Sequence, residues 1–185
     1  MDTVNEIETI TAPQYCDIKQ SFARLGEKPD SLGSLVDAAT LLVNAFLRNH
    51  TEYRVILYLA DKKAGGLRLM ETRGQFSREF LEEEAFIPFG QCLCGLAAVS
   101  GEVLICRNCY EDPRHETRWY GLDVHGHYVI PLLYGDTVLG VLTFYTQAGV
   151  DINNMQKAFL ARVGMQIGKA LFLWLQERSR NRAPF

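Results

Sequence analysis

The sequence predicts an α+β domain with a mostly antiparallel sheet and a helix near each end of the chain. Apolar residues recur at helical spacing in an early and a late segment, and short apolar or alternating runs bounded by turn residues fill the middle. The two longest runs are separated only by Tyr134-Gly135-Asp136, a hairpin turn. Strands grouped between terminal helices give this class. At 185 residues the chain fits one domain that can bury a full core.

Residues 1–28 are polar, carry Pro13, and are expected to form a loosely held N-terminal arm with room for one short helix; Cys16 lies there as a bystander. Asp30 or Ser31 can cap the first core helix. Its apolar positions Leu32, Leu35, Val36, Ala39, Leu42, Val43 and Phe46 keep helical spacing to about Arg48. "YRVILYLA" (53–60) and "LRLMETR" (67–73) read as strands around the turn "DKKAGG". The acidic "SREFLEEE" reads as a short helix leading into the strand "AFIPF". A helix over 93–100, a brief strand "EVLI" and an 18-residue loop from Cys106 to Asp123 follow; loops of that length in a compact domain tend to be functional. "HGHYVIPLL" and "TVLGVLTFYT" form the hairpin. A long helix from Asn153 to about Arg178 carries Met155, Phe159, Val163, Ile167, Leu171 and Trp174 on one face. Its last turns, "ALFLWLQ", are apolar almost all round and must bury more than one face, so a homodimer is expected. The domain then spans residues 29–180, with a tail at 181–185.

Net charge −3 and a pI near 5.8 argue against nucleic acid as a partner, because phosphate binding needs a concentrated basic surface. No uninterrupted apolar run approaches the roughly 18 residues of a membrane span. The acidic "MDTVNEIETITAPQ" lacks the basic and apolar regions of a signal peptide. A cytoplasmic location follows as the expectation, and with it reduced thiols rather than a disulfide framework.

That leaves a concentration of soft ligands to explain. Four of five cysteines and three of four histidines lie in the 38 residues from Gln91 to Tyr128. Cys92-x-Cys94, Cys106-x-x-Cys109, His115 and His125-x-His127 form a candidate metal set, for zinc or an iron–sulfur centre. His125 and His127 are two apart in a predicted strand and so share a face, while Gly126 between them admits another backbone at close range. Cys92 and Cys94 sit where a helix begins, a place that favours thiolate. The alternative is that the thiols are packed as small hydrophobes.

From Gly90 onward the order of features becomes specific: Gly95-Leu-Ala-Ala, Gly101-Glu102, Asp112-Pro113-Arg114, Pro131-Leu132 and Leu139-Gly140-Val141-Leu142. This series closely resembles the second half of a GAF domain, and the resemblance covers about residues 30–178. It implies a sheet with terminal helices on one face and a ligand pocket on the other, against the 90–125 segment. It also implies a sensory or regulatory role, expected to be non-catalytic, with output through the terminal helices to a partner. The motifs Cys92–Gly95, Arg114–Glu116 and His125–Tyr128 are associated as a set in similar GAF proteins. On that basis Arg114, His115, Glu116, Trp119, Tyr120, His125, His127 and Tyr128 are expected at the ligand, with a salt bridge to Asp112 or Glu116 as the alternative for Arg114. The series of cyclic-nucleotide-binding members, the Cys-His of bilin carriers and the Cys-x-x-Cys-His of covalent haem are not found.

One GAF lineage is enzymatic, the reductases of free methionine sulfoxide. Leu93-Cys94-Gly95-Leu96-Ala97-Ala98 is similar to the start of their helix, and Cys94 with Cys106 or Cys109 would supply an attacking and a resolving thiol. The segment that carries the attacking cysteine in that lineage has no counterpart in "RHETRWYGLDVHGHYVIPL". A reductase is therefore the rival reading.

Overall fold

The structure is a computed structural model, and it describes residues 12–47, 51–115 and 123–181. Six strands form one sheet: β1 (Thr51–Asp61), β2 (Gly66–Arg73), β3 (Phe86–Pro88), β4 (Leu104–Cys106), β5 (His125–Tyr134) and β6 (Thr137–Gln147). Their order is β3-β2-β1-β6-β5-β4, and every neighbouring pair is antiparallel. Helices α1 (Ala12–Leu25), α2 (Leu32–Leu47) and α5 (Asn154–Asn181) belong to one layer, while α3 (Arg78–Glu83) and α4 (Cys92–Ser100) lie with the second core.

The strands sort their side chains between the two faces by simple alternation. Val55 and Leu57 of β1, Tyr128, Ile130 and Leu132 of β5, and Leu142 and Phe144 of β6 pack under α2 and α5. Ile56, Tyr58, Val129, Val141 and Tyr145 face the other way, toward Phe80 of α3 and Leu93, Cys94 and Ala97 of α4. Two cores therefore share one sheet, and β5 contributes to both.

Helix starts follow local chemistry. Ser31, one of the two expected caps, accepts from the Ser34 amide at 3.0 Å, and Ser34 Oγ accepts from the Ser31 amide at 3.1 Å. Asn153 and Gln156 make the same reciprocal pair at the start of α5, both at 2.9 Å. Ser77 caps α3 through the Phe80 amide. At the end of α4, Gly101 takes a left-handed φ of 68° and returns its N–H to Ala97.

One expectation changes. Residues 12–25 are not a loose arm, because α1 packs on α2 and α5. Leu25 is 3 % exposed, and the Phe22 ring lies 6.2 Å from Phe159, which itself stacks on Phe46 at 3.7 Å. Helix α5 has a best 18-residue window of mean hydropathy 1.3, enough by length and composition to cross a bilayer. Instead it lies along β5, burying Leu160, Val163, Ile167, Leu171 and Trp174. The contact is close at two glycines one turn apart. A Cβ on Gly164 would stand 2.3 Å from the Pro131 carbonyl oxygen, and one on Gly168 2.1 Å from that of Leu133.

Candidate functional site

On the face away from the long helices, His115, His125 and His127 meet. Alternation puts His125 and His127 on that face of β5, 4 % exposed each, with ring centroids 4.7 Å apart and nearly perpendicular. The loop after β4 brings His115, half-buried, onto His127. Their rings stack at 5.0 Å, and the two Nε2 atoms are 3.0 Å apart. A ligating nitrogen from each of the three rings falls within 4.8 Å of the others.

Gly126 makes this arrangement sterically possible. Cys106 pairs with His127 across β4 and β5, and a Cβ on Gly126 would meet the Cys106 carbonyl oxygen at 2.6 Å and Thr146 Oγ1 at 2.5 Å. The loop is then pinned by Asp112-Pro113-Arg114. The Arg114 guanidinium grips Asp112 through Nε at 2.9 Å and Nη2 at 2.6 Å, and Nη2 also donates to the Ile105 carbonyl at 2.9 Å. That pair holds the Asp112 carboxyl below its usual range.

The cavity around the histidines is small. Its walls include Tyr58, Phe80, Glu84, Cys92, Cys94, Thr143 and Tyr145, and about 20 Å³ is open to water centres. A single water needs roughly 10–15 Å³ by that measure, so the space suits one water or ion and not an organic metabolite. Tyr145 lies 5.1 Å from the His125 ring and 4.7 Å from that of His127. Tyr58 donates to Glu84 at 3.1 Å.

Protonation in this pocket follows burial. Desolvation, with His125, His115 and Arg54 adding repulsion, pushes the His127 imidazolium well below the ordinary histidine range, so the ring is neutral near pH 7. His125 Nδ1 lies 2.5 Å from the Asp123 carbonyl oxygen, which can only accept, so this nitrogen carries the proton. His127 Nδ1 is buried and has no hydrogen-bond partner.

The cysteines behave differently from the thiolates expected at a helix start. Cys94 is buried with Sγ 3.2 Å from Thr143 Oγ1, and burial drives its thiol far above neutrality. The α4 terminus does not offset this desolvation. Burial and the Asp112 carboxylate push Cys106 up to about 12. Cys109 Sγ lies 3.6 Å from His125 Nδ1. Cys92 lines the cavity and is the one non-glycine residue of positive φ among the described residues, at 49°. The four sulfurs do not gather: among the described residues, no cysteine joins the close group of ligating atoms.

Other expected positions separate as follows. Tyr128 is corrected to the opposite face, since it alternates with His127 and packs in the core beneath α2 and α5. Arg114 is committed to Asp112 and Ile105, beside an open surface depression rather than the histidine cavity. Glu116, Trp119 and Tyr120 lie outside the described residues. Tyr58, Glu84, Thr143 and Tyr145 were missed. The polar Thr143 and Tyr145 within the apolar run of β6 were a usable signal, whereas Glu84, in an acidic helix end, gave none.

The sequence model of the GAF domain family matches residues 32–171. No curated protein sequence matches the chain. Among solved structures, the chain is similar to the GAF domain of an Acinetobacter phosphoenolpyruvate-protein phosphotransferase. The TM-score is 0.66 at 15 % identity, over 95 % of this chain and 99 % of that one. The corresponding domain from Coxiella burnetii gives 0.66 at 17 %, over 92 % and 97 %. A free methionine-R-sulfoxide reductase from Neisseria meningitidis, solved with its substrate, gives 0.67 at 21 %, over 86 % and 89 %. At these identities the likeness is one of fold.

Proposed function

The chain belongs to the GAF domain family, and on that footing we propose that it is a non-catalytic sensory domain binding a small ligand at the three-histidine cavity. The observation that carries this reading is the convergence of three imidazoles on one buried cavity, on the sheet face opposite the terminal helices. Strand β5 provides the link between them. His125 and His127 project from one face, while the Pro131 and Leu133 carbonyls touch α5 at Gly164 and Gly168 from the same strand. A ligand that moves β5 by a few tenths of an ångström is felt by α5 directly. Such an output needs two helix packings with different ligand affinity. Exposed Leu41 on α2 and Met155 and Met165 on α5 offer an apolar surface for a homodimer through this layer.

The reductase reading is disfavoured by thiol chemistry. Reduction of a sulfoxide needs a thiolate nucleophile, and both Cys94 and Cys106 are held protonated near pH 7. A thioredoxin- and NADPH-coupled assay with free methionine sulfoxide tests this. The expected result is no turnover above the enzyme-free rate. Turnover that disappears in Cys94→Ser would overturn the sensory reading in favour of catalysis.

A further inference from the structure

We propose that the cavity binds one divalent first-row transition-metal ion through a ring nitrogen each of His115, His125 and His127, leaving a coordination position for a small exogenous ligand. This rests on the sensory reading of the same site and names the chemical class of what it binds.

Three observations converge on it. First, the nitrogens are at the spacing of ligands around one ion. Two imidazole nitrogens each about 2.0–2.1 Å from zinc at a tetrahedral angle stand about 3.3–3.4 Å apart. The His115 and His127 Nε2 atoms are 3.0 Å apart, so they need to part by only a few tenths of an ångström to take an ion in place of their shared proton. Second, His125 has the supporting contact that ligating histidines usually show. Its Nδ1 proton goes to the Asp123 carbonyl, which orients the ring and leaves the lone pair on Nε2.

Third, the cavity is on the scale of an ion and far too small for an organic metabolite.

The donor set decides the class of metal. With no sulfur in the group, the site is all imidazole, which suits zinc, copper, iron or nickel. Cys109 approaches His125 at Nδ1, the nitrogen already committed to Asp123, so it supports the ring rather than the ion. Three protein ligands are the number found where zinc keeps a fourth position for water or a substrate; structural zinc sites use four. Both the tetrathiolate zinc and the iron–sulfur alternatives give way to a three-nitrogen site.

Cobalt(II) is the probe, added to the metal-free full chain. Its visible bands report low coordination number, and an intense near-ultraviolet band reports thiolate ligation. The expected result is one cobalt per chain, with visible bands and no thiolate band. His115→Ala, in the loop and least disturbing to the core, is expected to weaken binding by more than about 100-fold, beyond the 10–100-fold typical of second-shell partners. His127→Asn should do the same, with circular dichroism verifying its fold. Met165→Ala, exposed on α5 across the sheet from the cavity, should leave the spectrum unchanged. A thiolate band, or a folded wild-type protein that binds no cobalt, would overturn the site. Sedimentation run in parallel separates the two readings. Cobalt binding with unaltered association supports the metal site and counts against helix output alone, whereas absent binding in an intact dimer removes the metal site alone.

Discussion

Alanine at both Gly164 and Gly168 is expected to destabilise the protein by about 2–4 kcal/mol, a large share of the roughly 5–15 kcal/mol typical of a domain. Two effects oppose each other here. Alanine is the better helix former by about 0.8–1.0 kcal/mol per position, so propensity alone predicts a stabilised α5. Against this, the new methyl groups would stand 2.3 and 2.1 Å from carbonyl oxygens of β5, and on Gly168 also 2.5 and 2.7 Å from the Leu133 carbonyl carbon and amide nitrogen. These are strand backbone atoms, so neither partner can rotate away and the helix must lift from Ile130 and Leu132. Overpacking of this severity belongs at the upper end of the about 1–3 kcal/mol range, and it outweighs propensity. The two costs share one displacement and will sum to less than their separate values. Urea unfolding measures the effect, with Met165→Ala, at a site 58 % exposed, as the control expected within about 0.5 kcal/mol of wild type. A double alanine variant more stable than wild type would mean that α5 does not lie on β5 in this way.

Valine at Gly126 is expected to damage stability and site together. Its side chain would enter the space occupied by the Cys106 and Arg107 carbonyl oxygens, 2.6 and 3.2 Å from the Cβ position. Neither carbonyl yields easily, because Cys106 is paired with His127 and the Arg107 oxygen accepts from the Gly149 amide at 2.7 Å. The junction between β4 and β5 must open, at about 1–3 kcal/mol. The loop from Arg107 to His115 hangs from that junction. Opening it draws His115 off His127, and cobalt affinity should fall by at least about tenfold. A Gly126→Val protein that keeps wild-type affinity would show that the loop's position does not depend on this contact.

How far the sequence could be read varies with the range of the physics involved. The sheet face of His125 and His127, and the close backbone approach at Gly126, follow from a period of two and a missing Cβ, both local rules. The cap at Ser31 is local as well. The thiolate character assigned to Cys94 failed because it weighed a terminal dipole, worth about 0.3–1 kcal/mol, without the burial that opposes it. Desolvation of a fully buried group is worth several pKa units, and its extent depends on what Thr143 and Tyr145 of β6 place around the sulfur. The packing of α1 was hidden for a similar reason, since its register rests on Phe22 and Leu25 finding α5 more than a hundred residues away. Tyr128 was grouped with His127 by adjacency in a motif, although adjacent residues of a strand face apart. Arg114 was legible both as a ligand contact and as a salt-bridge partner of Asp112 or Glu116, and the nearer option, Asp112 two residues away, is the one it takes.

Imidazoles from the post-β4 loop and from β5 meet on one face of the sheet. Nitrogen-15 NMR of the histidine side chains in metal-free protein reads this meeting, because a hydrogen bond between two ring nitrogens transmits a scalar coupling. Such a coupling is expected between Nε2 of His115 and Nε2 of His127, with a His125 ring protonated at Nδ1 and movement of all three spin systems together when zinc is added. Three uncoupled rings that shift independently, or a His115 unaffected by zinc, would contradict it.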